Sequence, residues 1–293
     1  QRPFDVIVAP AAQPEIAFLT TNMPIVLLED ATYGQLINYH RDFSKLLKRS
    51  IYEVNAVETM ALEKADLIVA SSEWNARSVI EDYGMNPQKV HVVPFGANMR
   101  TPPSKEEVLR RRKSSHCRLL FAGTPWERKG GPIAFETLLK LEEMGIAAEL
   151  IVCGCTAPAM FSHQNMRVIP FLDKKDEKQR EDFEQLYRTS DFMLLPTRND
   201  CTPIVFCEAG AFGLPVITTN TGGVSGVIRE GENGFLLPYT ARGAEYAGVI
   251  ASLYHDDLRY AELVRSSRAA FDDRLNWDAW GQSMHKLIAE VLN

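Results

Sequence analysis

Residues Pro196–Gly223 read PTRNDCTPIVFCEAGAFGLPVITTNTGG. An apolar run ends at Pro196, a polar loop follows, and a helix is predicted to begin near Pro203; a second apolar run covers Pro215–Thr218. Strand, helix and strand in that order imply two parallel strands joined by a crossover helix. The helix carries one acid, Glu208, in an otherwise apolar stretch. A carboxylate in such surroundings needs a partner, because an unpaired buried charge is strongly unfavourable. A ribose diol offers two hydroxyl donors and would satisfy it. Asp200 lies eight positions earlier, in the loop at the mouth, where it can face a sugar ring. The helix start between them, Thr202, Pro203, Ile204 and Val205, presents backbone N–H groups and a positive dipole end to an anion such as a diphosphate. The competing reading makes Asp200 a helix cap and Glu208 a satisfied core carboxylate.

The same alternation runs outward in both directions. Strands are predicted at Asp5–Ala9, Pro24–Leu28, Asp66–Ala70, His91–Pro94, Arg118–Ala122, Ala148–Cys153 and Asp191–Leu195, besides Pro215–Thr218. Each is a nearly continuous apolar run, as in a parallel sheet buried on both faces. The fold class is therefore α/β, with two Rossmann-like units. GANMRTPPSKEE, Gly96–Glu107, combines prolines with polar residues between a strand and a charged helix and marks the linker. The division places a first unit at 1–100, a second at 101–275 and, at 276–293, an amphipathic helix (WDAWGQSMHKLIAEVL) returning toward the first unit. About four strands in the first unit fall short of the usual six of a doubly wound sheet. Together with the absence of an initiator Met and a strand close to Gln1, this predicts that the first unit is incomplete and the chain truncated at its N-terminus.

A second feature is FAGTPWERKGG, Phe121–Gly131: a strand end, a polar turn, adjacent Arg128 and Lys129, and two glycines opening a helix. Two cations beside helix N–H groups suit a diphosphate and the charge that grows on it as a leaving group. A solvated charged turn is the plainer account. Arg167–Leu172, RVIPFL, reads equally as a strand and turn.

The bulk numbers bound the alternatives. At 293 residues, 45% hydrophobic and 24% charged, the chain can bury a core. A net charge of −6 argues against a nucleic-acid partner, which needs a basic face. No window approaches the roughly 20 apolar residues of a membrane span, and the first residues are not a signal peptide, so a cytoplasmic location is expected. The five cysteines are expected to be reduced thiols; Cys153 and Cys155 lack zinc spacing, and no metal site is expected.

The Pro196–Gly223 segment resembles the E-x7-E signature of the retaining GT-B enzymes of glycosyltransferase family 4, with Asp200 at the first acid and Glu208 at the second. Gly213, Pro215 and Gly222-Gly223 match its downstream landmarks. Asp at the first position is one methylene short, and Gly226 stands where many members carry a Glu. The resemblance implies that Arg128 and Lys129 hold the donor diphosphate, that Gly123 lines it, and that Ile169 and Phe171 flank the nucleobase. It also sets Asp30, in PIVLLEDATYGQL, where many members have a cleft histidine. Asp30 would orient a hydroxyl or, on the plainer account, cap the next helix with help from Thr32. SSEW at Ser71–Trp74 and VPFGAN at Val93–Asn98 are further landmarks.

The implied function is retaining, metal-independent transfer of a sugar from a nucleotide-diphosphate sugar, a UDP- or GDP-sugar, to a hydroxyl of a glycan, lipid or small molecule. Peripheral membrane contact is compatible with it, no cofactor is expected, and Asp200, Arg128, Lys129 and Asp30 form the expected catalytic set. The alternative is a nucleotide-sugar-binding module or regulatory subunit without catalysis.

Overall fold

The computed structural model describes residues 4–292. In the first unit, strands β1 (Ile7–Pro10), β2 (Ile25–Glu29), β3 (Leu67–Ala70) and β4 (Val90–Val92) alternate with helices α1 (Gln13–Phe18), α2 (Tyr33–Leu36), α3 (Lys48–Lys64) and α4 (Glu73–Glu81). The strands pair in parallel in the order β1-β2-β3-β4. Every residue of β2 and β3 is buried, which explains why both are uninterrupted apolar runs apart from Glu29 at the end of β2.

After α5 (Lys105–Leu109) the second unit builds a six-stranded parallel sheet from β5 (Cys117–Ala122), β6 (Ala148–Cys153), β7 (Met166–Ile169), β8 (Phe192–Leu195), β9 (Val216–Thr219) and β10 (Gly234–Leu237). Between them lie α6 (Gly131–Glu143), α7 (Glu177–Thr189), α8 (Ile204–Ala211) and α9 (Val224–Val227); α10 (Gly243–Tyr254) and α11 (Asp257–Arg274) follow. The strand order is β10-β9-β8-β5-β6-β7, the doubly wound arrangement. The two outer strands, β7 and β10, escape the apolar-run criterion. β7 exposes Arg167 and Val168 at one edge, and β10 follows the glycine-bearing turn EGENG at the other. RVIPFL thus begins as the end of a strand and leaves the sheet after Ile169.

The chain crosses between the units twice. Residues around Phe95–Met99 lead across, and α12 (Trp277–Leu292) returns. Met284, Trp280, Leu287, Ile288 and Val291 of α12 pack on Val26, Leu28, Leu67, Val69 and Val93, so this helix covers one face of the first sheet. The crossings touch where Ala97 N–H donates to Leu275 O (3.0 Å) and Phe95 stacks on Trp277 (6.0 Å between centroids). A Cβ on Gly96 would stand 2.4 Å from Trp277 N, so this position admits glycine alone without displacing the returning backbone.

Candidate active site

In the second sheet, the chain proceeds outward one way from β5 and the other way from β8, which are neighbours. Loops leaving their C-terminal ends diverge, and the crevice they leave is the default ligand site of this topology. Phe121–Gly131 and Pro196–Pro203 are those two loops. They interlock: Arg198 N–H donates to Arg128 O (2.8 Å), and Gly130, at φ +81°, approaches so closely that a Cβ would lie 2.0 Å from Pro196 O.

This contact carries Lys129 across the crevice. Its stem runs over Gly123, where a Cβ would meet Lys129 Cγ at 3.1 Å, and its ammonium reaches Asp200 Oδ2 at 2.5 Å, with both side chains 10% exposed. Arg128 is turned differently. Its guanidinium donates to Asn199 O (3.1 Å) and Thr124 O (2.6 Å), tying the two loops together. Asp200 does not cap α8. The N-cap is Pro203, without a side-chain cap bond, and Thr202 instead contacts Ser71 Oγ of the first unit through its hydroxyl at 2.5 Å. Ile204 and Val205 open the first turn of α8, half-buried.

Glu208, 2% exposed, lies one turn further along α8. Lys174 Nζ donates to Oε1 at 2.7 Å and Tyr187 OH to Oε2 at 3.0 Å. Burial pushes its carboxyl above the usual range, against the pull of Lys174 and Tyr187. Lys174 itself packs over Phe183, 4.4 Å from the ring centroid. Beside this group opens a cavity of about 390 Å³ lined by Lys174, Arg180, Phe183, Tyr187, Glu208 and Trp277, among others. It is walled by aromatic rings and carries charges of both signs. Ile169 is half-buried and Phe171 is 69% exposed, the latter on the loop that leads to Lys174. Lys174 and Tyr187 were not singled out by sequence; a lysine pair in the loop after RVIPFL is the only trace of the first, and Tyr187 reads as one more aromatic on α7.

The first unit closes over the crevice. Asp30 sits at the end of β2; Thr32, not Asp30, caps α2, in a capping box with Gln35. Asp30 is exposed and lies near enough to Asp200 to feel its charge. Desolvation first, and the Asp200 charge second, raise its carboxyl. Cys201 lies between the same two acids, and burial together with both charges pushes its thiol to about 12, too high for a nucleophilic thiolate at neutral pH. Tyr39 reaches the Asp200 loop and Ser72 abuts Gly223 and Gly226.

Directly behind Asp30 is a buried acid pair. Glu29 accepts from Gln13 Nε2 and Asn75 Nδ2, each at 3.0 Å, while Glu58, fully buried, accepts from Tyr33 N–H at 3.3 Å. Glu58 Oε1 is buried without a hydrogen-bond partner among the described residues, and burial with the Glu29 charge raises Glu58 to about 8.

The described cysteines are all unbridged. Among the described residues no group of three or more His, Cys, Asp or Glu is placed to hold a metal ion, and no helix is long and apolar enough to cross a membrane.

Comparison with known proteins converges on the same region. Residues 116–256 match the family model of glycosyl transferases group 1. The chain is 27% identical over 251 residues to D-inositol 3-phosphate glycosyltransferase of Xylanimonas cellulosilytica, covering 80% of this chain and 59% of the relative. The enzyme of the same name from Corynebacterium efficiens is 25% identical over 252 residues, covering 80% and 58%. The chain thus spans just under three fifths of the length of these relatives. Among solved structures, Anabaena Alr3699/HepE in complex with UDP superposes with a TM-score of 0.74 at 18% identity, covering 98% of this chain and 79% of that one. Sucrose-phosphate synthase from Thermosynechococcus elongatus gives 0.71 at 15%, covering 98% and 74%. The two parallel sheets of this chain, of four and six strands, give it the GT-B fold, and residues 116–256 of its second unit carry the group 1 match.

Proposed function

We propose that the chain transfers a sugar from a nucleotide-diphosphate sugar to an acceptor hydroxyl, with retention at the anomeric carbon and without a metal ion. One observation carries the proposal: the Lys129–Asp200 pair and the buried Glu208 flank the start of α8 at the switch point of the second sheet. A diphosphate at that helix start meets the N–H groups of Ile204 and Val205 and the Lys129 ammonium, which offset the charge of the leaving group. Glu208 then takes the ribose diol, Lys174 giving way, with the base directed toward the Ile169–Phe171 loop. Asp200 and Asp30 face the sugar end from opposite sides of the cleft. Arg128 braces the loop and approaches the diphosphate from its edge.

With Asp200 and Asp30 binding sugar hydroxyls and not the anomeric carbon, the acceptor oxygen attacks that carbon on the face the phosphate leaves. The acceptor's proton passes to the departing phosphate oxygen, so the nucleoside diphosphate serves as the base. The group 1 match over 116–256 supports a donor of this class, as does the fold shared with HepE, which was solved with UDP and with UDP-glucose.

The test is a thermal-shift screen of UDP-, GDP- and ADP-sugars, since a ligand raises stability with the logarithm of its concentration over Kd. A UDP- or GDP-sugar should stabilise the chain, and Glu208→Ala should abolish the shift; an unchanged shift removes Glu208 from the site. Turnover in excess EDTA and the product's anomeric configuration by NMR decide the mechanism, and inversion or a strict metal requirement would overturn it.

A further inference from the structure

The backbone of Asp200 is held from both units: Gly223 N–H of its own unit donates to Asp200 O at 3.1 Å, and Tyr39 of the other takes its N–H. Asp200 N–H donates to Tyr39 Oη at 2.9 Å, and the Tyr39 hydroxyl also lies 3.1 Å from Thr221 Oγ1 and 3.4 Å from Asp200 O. Asn199 Nδ2 donates to the Tyr39 carbonyl at 2.9 Å, so both residues at the tip of the acid loop are fixed by one residue across the cleft. The ring is itself backed by Trp74, 5.5 Å between centroids.

The second unit is shaped to admit this side chain. Gly222, at φ +53°, would place a Cβ 2.3 Å from Tyr39 Oη and 2.2 Å from Asp200 O. Any side chain there would evict the hydroxyl from its place. The neighbouring seam is equally close: a Cβ on Gly223 would meet Ser72 Oγ at 2.8 Å, and Ser71 Oγ is 2.5 Å from Thr202 Oγ1. The glycine pair thus lets the Asp200 and Cys201 carbonyls, 2.2 and 1.9 Å from a Cβ there, come close, and makes room for Tyr39 and Ser72 beside them.

We infer that Tyr39 is a positioning residue that sets Asp200 for the donor sugar, so that the sugar subsite is complete only when the first unit is docked on the second. This rests on the donor reading above. The diphosphate and ribose contacts at Lys129, α8 and Glu208 belong to the second unit alone. Tyr39 therefore bears on recognition of the sugar and not of the nucleotide.

Calorimetric titration of the whole chain with UDP and UDP-glucose, and with GDP and GDP-mannose, separates the two. Tyr39→Phe keeps the ring against Trp74 and removes only the hydroxyl. Its affinity for the bare diphosphate should stay within about twofold of wild type, while the ratio of sugar-nucleotide to diphosphate affinity falls at least about fivefold, the equivalent of one net hydrogen bond. Thr221→Val, which removes a single partner of that hydroxyl, should move the ratio in the same direction by less, and guards against a folding defect in the first variant. A ratio unchanged in Tyr39→Phe, with diphosphate bound normally, overturns the positioning role and leaves the donor reading intact. Wild type that binds neither UDP nor GDP, with or without sugar, overturns both.

Discussion

Glu58→Gln should change how stability depends on pH. In the folded chain burial and the neighbouring Glu29 charge hold a proton on Glu58 to about pH 8, whereas an unfolded glutamate loses it near 4.5. Between those values the folded state binds more protons than the unfolded one, so stability falls as pH rises through the window and is unaffected below it. At about 1.4 kcal/mol per unit, the span from 4.5 to about 8 limits the Glu58 share of that loss to about 5 kcal/mol. Glutamine mimics the protonated acid but does not reproduce every hydrogen bond of the carboxyl. The expected recovery is therefore smaller, about 2–3 kcal/mol at pH 8.5, with a change within about 1 kcal/mol at pH 5. Urea denaturation of both proteins from pH 5 to pH 8.5 reads this directly. Parallel wild-type and variant curves across that range would show that the pair carries no extra proton and refute the argument.

Three other outcomes follow from particular contacts. Lys174→Met removes the cation that pulls the Glu208 carboxyl down, so Glu208 keeps its proton to higher pH. The acid limb of nucleotide binding, followed by calorimetry against pH, should move upward; a shift downward or none would separate Lys174 from the function of Glu208. Gly130→Ala forces a Cβ to within 2.0 Å of Pro196 O at φ +81° and should destabilise the chain by about 2–4 kcal/mol in urea; a cost below about 1 kcal/mol would mean the two loops are not locked together as described. Met284→Ala leaves a void where α12 covers the first sheet, and about 2–4 kcal/mol should be lost. A value near zero would show that α12 does not contribute that cover.

What sequence can reveal here depends on whether a residue answers to its chain neighbours or to a distant segment. β2, β3, β5, β6, β8 and β9 are buried along nearly their whole length and so announce themselves as apolar runs. β7 interrupts its apolar residues with the exposed Arg167, and β10 begins at Gly234 straight after a polar turn, so neither stands out as β1 and β4 do even though all four lie at sheet edges. The acids of the candidate site are legible for a related reason. Glu208 is conspicuous because its helix is otherwise apolar, and Asp200 because it follows a strand end. Their partners are not, since Lys174 comes from 34 positions away, Lys129 from 71 and Tyr39 from 161. Nothing in a local window ties a tyrosine after a short helix to a double glycine in the other unit. The glycines themselves hint only that something approaches closely, and Gly222 is silent on what that is until the opposing hydroxyl is located. Asp30 follows the same logic in reverse: next to Thr32 it reads as a spare cap, and it becomes a cleft residue because Thr32 takes the cap and Asp200 faces it across the gap. The part of the site that depends on both units meeting is thus the part that only the tertiary structure supplies, and it is the part on which discrimination of the sugar would depend.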